Sequence, residues 1–240
     1  MDNKKVIEFY DKFAEEQQNI GVNDRIWGLY ARTKALGLNS GSSVLELGCG
    51  IGTMSFLISK TVKKGRVEAV DISPRSIAFA KQRIKGKNMN FFAADIVSYS
   101  PSIKHPDFIT LFDIIEHIPV EKHSGLFRNI SQFAGPNTKI LINIPSPQNI
   151  EFDKKNAPQK LQVIDQPLPL RGIVNDLSDS GLQLISFENY SIWSHHDYQF
   201  FHVQKERSPE RILLSEKRTL FEKGMKKMQR AWIKLTNEYR

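Results

Sequence analysis

The stretch Val44-Leu45-Glu46-Leu47-Gly48-Cys49-Gly50-Ile51-Gly52-Thr53 decides the fold. Its apolar run, Val44 to Leu47, reads as a short buried strand that glycines at 48, 50 and 52 interrupt. Beyond Thr53 the pattern turns helical, with Met54, Phe56, Leu57 and Ile58 available to one face. A strand, a glycine turn and a helix N-terminus together let backbone approach a ligand closely. A second apolar run, Val67-Glu68-Ala69-Val70, ends in Asp71. That acid lies 21 positions after Gly50, near the spacing at which an acidic residue on the next strand reaches ribose hydroxyls.

A dinucleotide fingerprint requires Gly-x-Gly-x-x-Gly, and here the third glycine comes one position early. With Glu46 before the turn, the pattern resembles the first motif of class I S-adenosylmethionine-dependent methyltransferases, in their small-molecule (quinone, sugar and secondary-metabolite) branch. The physical difference is intelligible. An acid beside the loop repels a pyrophosphate but suits the cationic ammonium and sulfonium of S-adenosylmethionine. The resemblance implies an α/β, Rossmann-like fold: a seven-stranded, mostly parallel sheet with an antiparallel last strand and helices on both faces.

Later segments extend it in the same order. Ser73-Pro74 starts a helix running to about Lys85. Asn90-Phe91-Phe92-Ala93-Ala94-Asp95-Ile96 reads as a third strand ending in an acid. Under the resemblance Asp95 accepts from the adenine amino group and Ile96 packs on the ring; a strand-end Asp is otherwise a turn residue. A fourth strand, from Asp107 through Phe112, leads into Asp113-Ile114-Ile115-Glu116-His117-Ile118-Pro119. This resembles the fourth motif of small-molecule methyltransferases, and the Asn- or Asp-Pro-Pro-aromatic motif of amino-group nucleic-acid methyltransferases is absent. The resemblance therefore nominates Tyr10, Glu46, Gly48, Cys49, Gly50, Asp71, Ile72, Asp95, Ile96 and Phe112 for the cofactor. His117 is nominated as base or acceptor-orienting residue, the alternative being that it only bonds Glu46 or a cofactor group and shapes the pocket. The implied reaction is methyl transfer to a small molecule, foremost the hydroxyl of a sugar, nucleotide-sugar or lipid-linked glycan. An RNA or protein methyltransferase and a non-catalytic cofactor-binding module are the alternatives.

The rest of the chain frames this core. Residues 1–42 read as a cover of two helices, in which Val6, Phe9, Tyr10 and Phe13 recur at helical steps. Phe9-Tyr10-Asp11-Lys12-Phe13 resembles the aromatic opening that packs on the cofactor, though core packing explains Tyr10 and Phe13 equally. Residues 43–205 form the binding domain. Within it, a helix from Glu121 to Ala134 and a strand from Lys139 to Ile144 finish the parallel part. The polar stretch 146–168, with three prolines, reads as an inserted loop or small lid. Strands at Gln183–Tyr190 and Tyr198–Val203 close the sheet. His195, His196, Asp197 and His202 are the only candidate metal ligands, and a metal is disfavoured because neighbouring hairpin residues face opposite ways.

Composition bounds what remains. The net charge of +8 is uneven: residues 207–240 carry ten Lys/Arg against four Asp/Glu, leaving the remainder nearly neutral. A single cysteine, Cys49, points to a reducing cytoplasm, and no apolar run approaches the length of a membrane span. From Ser208-Pro209-Glu210 onward the tail reads as a basic amphipathic helix striped by Phe221, Met225, Met228, Trp232 and Leu235. Self-packing or a homodimer ranks first for that stripe, an anionic membrane surface second, and nucleic acid last.

Overall fold

A computed structural model describes residues 3–17, 20–208 and 219–236. The chain divides into two compact units, residues 1–206 and 207–240. The first unit holds a seven-stranded sheet in the order β3-β2-β1-β4-β5-β7-β6. Its strands are β1 (Ser43–Leu47), β2 (Arg66–Asp71), β3 (Met89–Ala93), β4 (Phe108–Phe112), β5 (Lys139–Pro145), β6 (Leu182–Tyr190) and β7 (Tyr198–Lys205). The first five run parallel, and β7 inserts antiparallel between β5 and β6, as the resemblance implies.

Strand alternation sends side chains into two apolar layers. Leu45, Leu47, Ile109, Leu111, Ile140 and Ile142 meet α5 (His123–Phe133) and α7 (Leu170–Ser178) through Leu126, Phe127, Ile130, Ile173 and Leu177. On the other face Val44, Val67, Ala69, Phe108 and Leu141 meet α2 (Asp24–Ala35), α3 (Thr53–Thr61) and α4 (Pro74–Arg83). A near-continuous apolar β4 and β5 is what burial on both faces demands. Order reverses between β1 and β4, and the parallel strands all end on the same edge there, the usual place for a ligand crevice.

Helix α1 (Asn3–Gln17) docks on the start of α4. Asp11 accepts from Ser73 Oγ and from Arg75 N at 3.2 Å, and Arg75 pairs with Glu15. A carboxylate placed there meets the exposed amide groups at the α4 N-terminus.

Several expectations change. The third strand ends at Ala93, so Asp95 lies in the following turn. The stretch 146–168 is not merely a loop: α6 (Pro147–Asn156) and a 3-10 turn at Pro158–Lys160 occupy much of it. Ser146 caps α6, accepting from Asn149 N, and Pro147 begins it. Few apolar residues mark that helix because only Ile150 is buried. His195 and His196 do not diverge; their ring centroids lie 3.9 Å apart because His196 takes φ 52° at the hairpin tip instead of strand geometry. Of the expected helix start at Ser208-Pro209-Glu210, Pro209 and Glu210 lie outside the described residues, as does the rest of 209–218. Helix α8 (Leu220–Thr236) is described from Thr219 onward.

Candidate active site

Every residue nominated from the sequence lines one cavity of about 360 Å³ at the carboxyl edge of the parallel strands. The glycine loop leaves β1 with Gly48 N and Cys49 N both donating to Val70 O, at 2.7 and 2.9 Å. Gly48 has φ 80°, and a Cβ there would lie 1.9 Å from Ile114 Cδ1, so only glycine fits. Gly52, at φ 83°, turns the chain into α3. Cys49 is buried and its thiol is pushed well up by that burial and by Asp71, which disfavours the nucleophilic thiolate.

Three carboxylates define this half. Glu46 shares the strand face of Val44 and accepts from Ser55 Oγ of α3. Burial, with a smaller push from Asp71, raises it to about 8, so it is held in a place that would reward a neighbouring cation. Asp71 accepts from Gly50 N at 2.8 Å on one oxygen and Ser73 N at 2.9 Å on the other. Each oxygen can take a further donor. Its pKa is raised by burial, partly opposed by those two amides. Asp95 accepts from Val97 N at 3.0 Å, the ordinary turn role, while also lining the cavity with Ile96. Ile72 and Phe112 supply apolar wall, and Val6, Tyr10, Phe13 and Gln17 of α1 border it from the cover.

The other half centres on His117, in a 3-10 turn after β4. Its Nδ1 lies 2.6 Å from Ile164 O and 3.1 Å from Asp165 Oδ1, and its Nε2 lies 3.7 Å from Glu116 Oε1. Glu46 is not a partner. A carbonyl can only accept, so Nδ1 carries a proton and Nε2 is the atom free to exchange one. Burial alone would lower the histidine, but Glu116 and Asp165 outweigh it and raise the ring to about 9. Glu116 is fully buried, has no hydrogen-bond partner for either oxygen, and is driven upward by that burial. Glu68 makes the contrast: equally buried, it accepts from Tyr99 Oη and Ser102 N and is structural. Tyr10 packs edge-on to His117 at 6.4 Å, its phenol raised by burial and the nearby acids.

Sequence reasoning missed Asp165, Arg25 and Asp113. Gln166 N donates to Glu116 O and Gln166 Nε2 to Ile118 O, which pins the segment bearing Asp165 over the histidine turn. Arg25 of α2 pairs with Asp113 at 2.9 Å and donates to Tyr198 Oη at 3.2 Å; Asn143 Nδ2 donates to Asp113. Asp113 sits at φ 57°, a left-handed position, with its carboxylate held by Arg25 and Asn143. Among the described residues no group of His, Cys, Asp or Glu has a metal-binding arrangement. Asp197 is spent on the N–H groups of Ile192, Trp193 and Ser194.

A family model described as a methyltransferase domain matches residues 24–208. The chain belongs to the methyltransferase-domain family. Helix α1 and the basic tail lie outside that match. Among curated proteins the chain is 29% identical over 97 residues to a malonyl-[acyl-carrier protein] O-methyltransferase of Ilyobacter polytropus, covering 40% of this chain and 34% of that one. It is 24% identical to the trans-aconitate 2-methyltransferase of Methylobacterium nodulans, over 77% of this chain and 64% of that one. The chain thus spans about a third of the first relative's length and under two thirds of the second's. Its fold matches the magnesium protoporphyrin IX methyltransferase of Synechocystis with bound S-adenosylhomocysteine, with TM-score 0.67 and 16% identity over 86% of this chain and all of that one. The residues present fit S-adenosylmethionine: cation-favouring Glu46, an Asp71 with spare acceptor capacity, and a close backbone loop.

Proposed function

We propose that the protein is an O-methyltransferase of a small hydroxyl-bearing molecule, of the sugar, nucleotide-sugar or lipid-linked glycan kind, with His117 as general base. S-adenosylmethionine supplies a methyl group on a positively charged sulfur. On this reading Glu46, Asp71 and Asp95 hold and orient the cofactor, with Tyr10, Ile96 and Phe112 as apolar walls. His117 Nε2 takes the acceptor hydroxyl's proton as its oxygen attacks the methyl carbon, and the carbon–sulfur bond breaks with its electron pair passing to sulfur. Asp165 and Ile164 O hold the Nδ1 proton, which keeps Nε2 facing the acceptor and stabilises the imidazolium that forms. The single observation that carries this reading is that anchoring of Nδ1 beside Tyr10 and the glycine loop, with Nε2 left for proton exchange.

A second reading has one specific support: trans-aconitate and the malonyl group of the named relatives carry carboxylates. A carboxylate acceptor needs no base, and His117 would then act as a cation. Glu116 and Asp165 beside the ring weigh against an anion there. The test is transfer of labelled methyl from S-adenosylmethionine into a metabolite extract and, in parallel, into total RNA and protein, with mild alkali applied to the labelled metabolites. The hydroxyl reading expects label in a base-stable methyl ether and a rate that rises with pH through about 9. Label released by alkali, with a rate that falls above that pH, would replace it with the carboxylate reading. Label only in RNA or protein would overturn both.

A further inference from the structure

Helix α8 stands outside the family match and outside the site, and it has a design of its own. It opens on a reciprocal cap: Thr219 N donates to Glu222 Oε2 at 3.0 Å, and Glu222 N donates to Thr219 Oγ1 at 3.2 Å. From there Phe221, Met225, Met228 and Trp232 follow steps of four, three and four, which align them on one face. All four are exposed, at 75%, 48%, 73% and 66%. Lys223, Lys226, Lys227 and Arg230 fall on the opposite side and are exposed too. No helix among the described residues is long and apolar enough to cross a membrane.

We infer that α8 lies flat on an anionic lipid bilayer, with its Phe-Met-Met-Trp face at the acyl boundary and its lysines and arginine among negative headgroups. Charge decides between the possible occupants of that face. Within Leu220–Thr236 the only acid is Glu222 against five Lys/Arg, so pairing with a second copy brings two strongly positive helices together. Nucleic acid or an acidic protein would meet the basic face and leave the aromatic stripe in water. An anionic bilayer satisfies both faces at once, and a basic, weakly hydrophobic helix with Phe and Trp on its apolar side is the form such surface helices take. Because α8 is covalently joined to the methyltransferase domain, binding would concentrate that domain at the surface. This inference does not depend on the acceptor proposed above.

The test is co-sedimentation of the full chain with vesicles of phosphatidylcholine alone and of phosphatidylcholine mixed with phosphatidylserine. The expected result is binding to the mixed vesicles only, weakened by salt. F221S/W232S should lower that binding at least about tenfold, and K226E/K227E should abolish the preference for anionic lipid. Neither pair belongs to the proposed chemistry, so methyl transfer in solution should be unchanged. Three results would overturn the inference: no binding to mixed vesicles at low salt, binding that survives F221S/W232S, or a solution dimer that this double variant converts to monomer. Salt-sensitive capture of RNA with no vesicle binding would overturn it equally.

Discussion

On the proposed function one half of the cavity holds the cofactor and the other the acceptor, and the two are built by different means. The cofactor half, at the tips of β1, β2 and β3, is assembled from backbone amides, glycine and acids only a few residues from their strands. The acceptor half is assembled from afar: Ile164 reaches His117 across 47 residues, and Arg25 reaches Tyr198 across 173. The lesson is physical. The cofactor half presents a chemistry that any methyl transfer from a sulfonium needs, so local chain geometry can supply it. The acceptor half must match a particular molecule, so it draws on whichever side chains the closed sheet brings to one edge.

Substitutions in each half should separate these roles. The largest effect is expected from His117→Ala, which should lower kcat about 10²- to 10⁴-fold while leaving S-adenosylmethionine affinity within a few-fold. Equal losses in kcat and cofactor binding would erase the distinction between the halves. Asp71→Ala should do the reverse, weakening cofactor binding about 10- to 100-fold by calorimetry, since it removes a buried carboxylate that also holds Gly50 N. Asp165→Asn should lower kcat about tenfold and move the rising limb of the pH–rate profile toward the ordinary histidine value of about 6.5. A kcat loss with an unmoved pH profile would make Asp165 merely structural. Smallest is Asp11→Ala, expected to raise the cofactor Kd a few-fold by loosening α1 from the α4 N-terminus, more at low salt than at high.

The centre of the sheet was legible because β1, β2 and β4 are short, largely apolar runs closed by glycine or an acid, and burial on both faces leaves few other readings. Ser73-Pro74 announced α4, and the same signal at Ser146-Pro147 announced α6, which was obscured because that helix buries only Ile150. Thr219 and Glu222 likewise marked a helix start that a scan for serine-proline passes over. Asp165 carries no local mark at all. It lies in a polar stretch without periodicity, and its role exists only because Gln166 binds the backbone of Glu116 and Ile118. Asp113 is similar: its carboxylate is held by Arg25 and Asn143, neither of which is near in sequence.

Protonation offers a check on the whole cavity. Glu46, Asp71, Glu116 and His117 all have raised values, so the folded chain holds protons that the unfolded chain would release. The contribution of His117 is present below its unfolded value and is lost as pH climbs through about 9, and the burial penalty on the carboxylates grows over the range from about 4.5 to about 8. Thermal unfolding of the ligand-free protein should therefore shift to lower temperature between about pH 6 and about pH 9. The shift produced by S-adenosylmethionine should grow over the same range, because a cation beside Glu46 favours its ionised form.

The most direct measurement is calorimetric titration of S-adenosylmethionine into the full chain and into its Asp71→Ala and His117→Ala variants. Saturable binding of one molecule per chain is expected, lost or much weakened in the first variant and nearly intact in the second. No binding to the native chain, or equal binding to the native and Asp71→Ala chains, would contradict the assignment of this cavity to the cofactor.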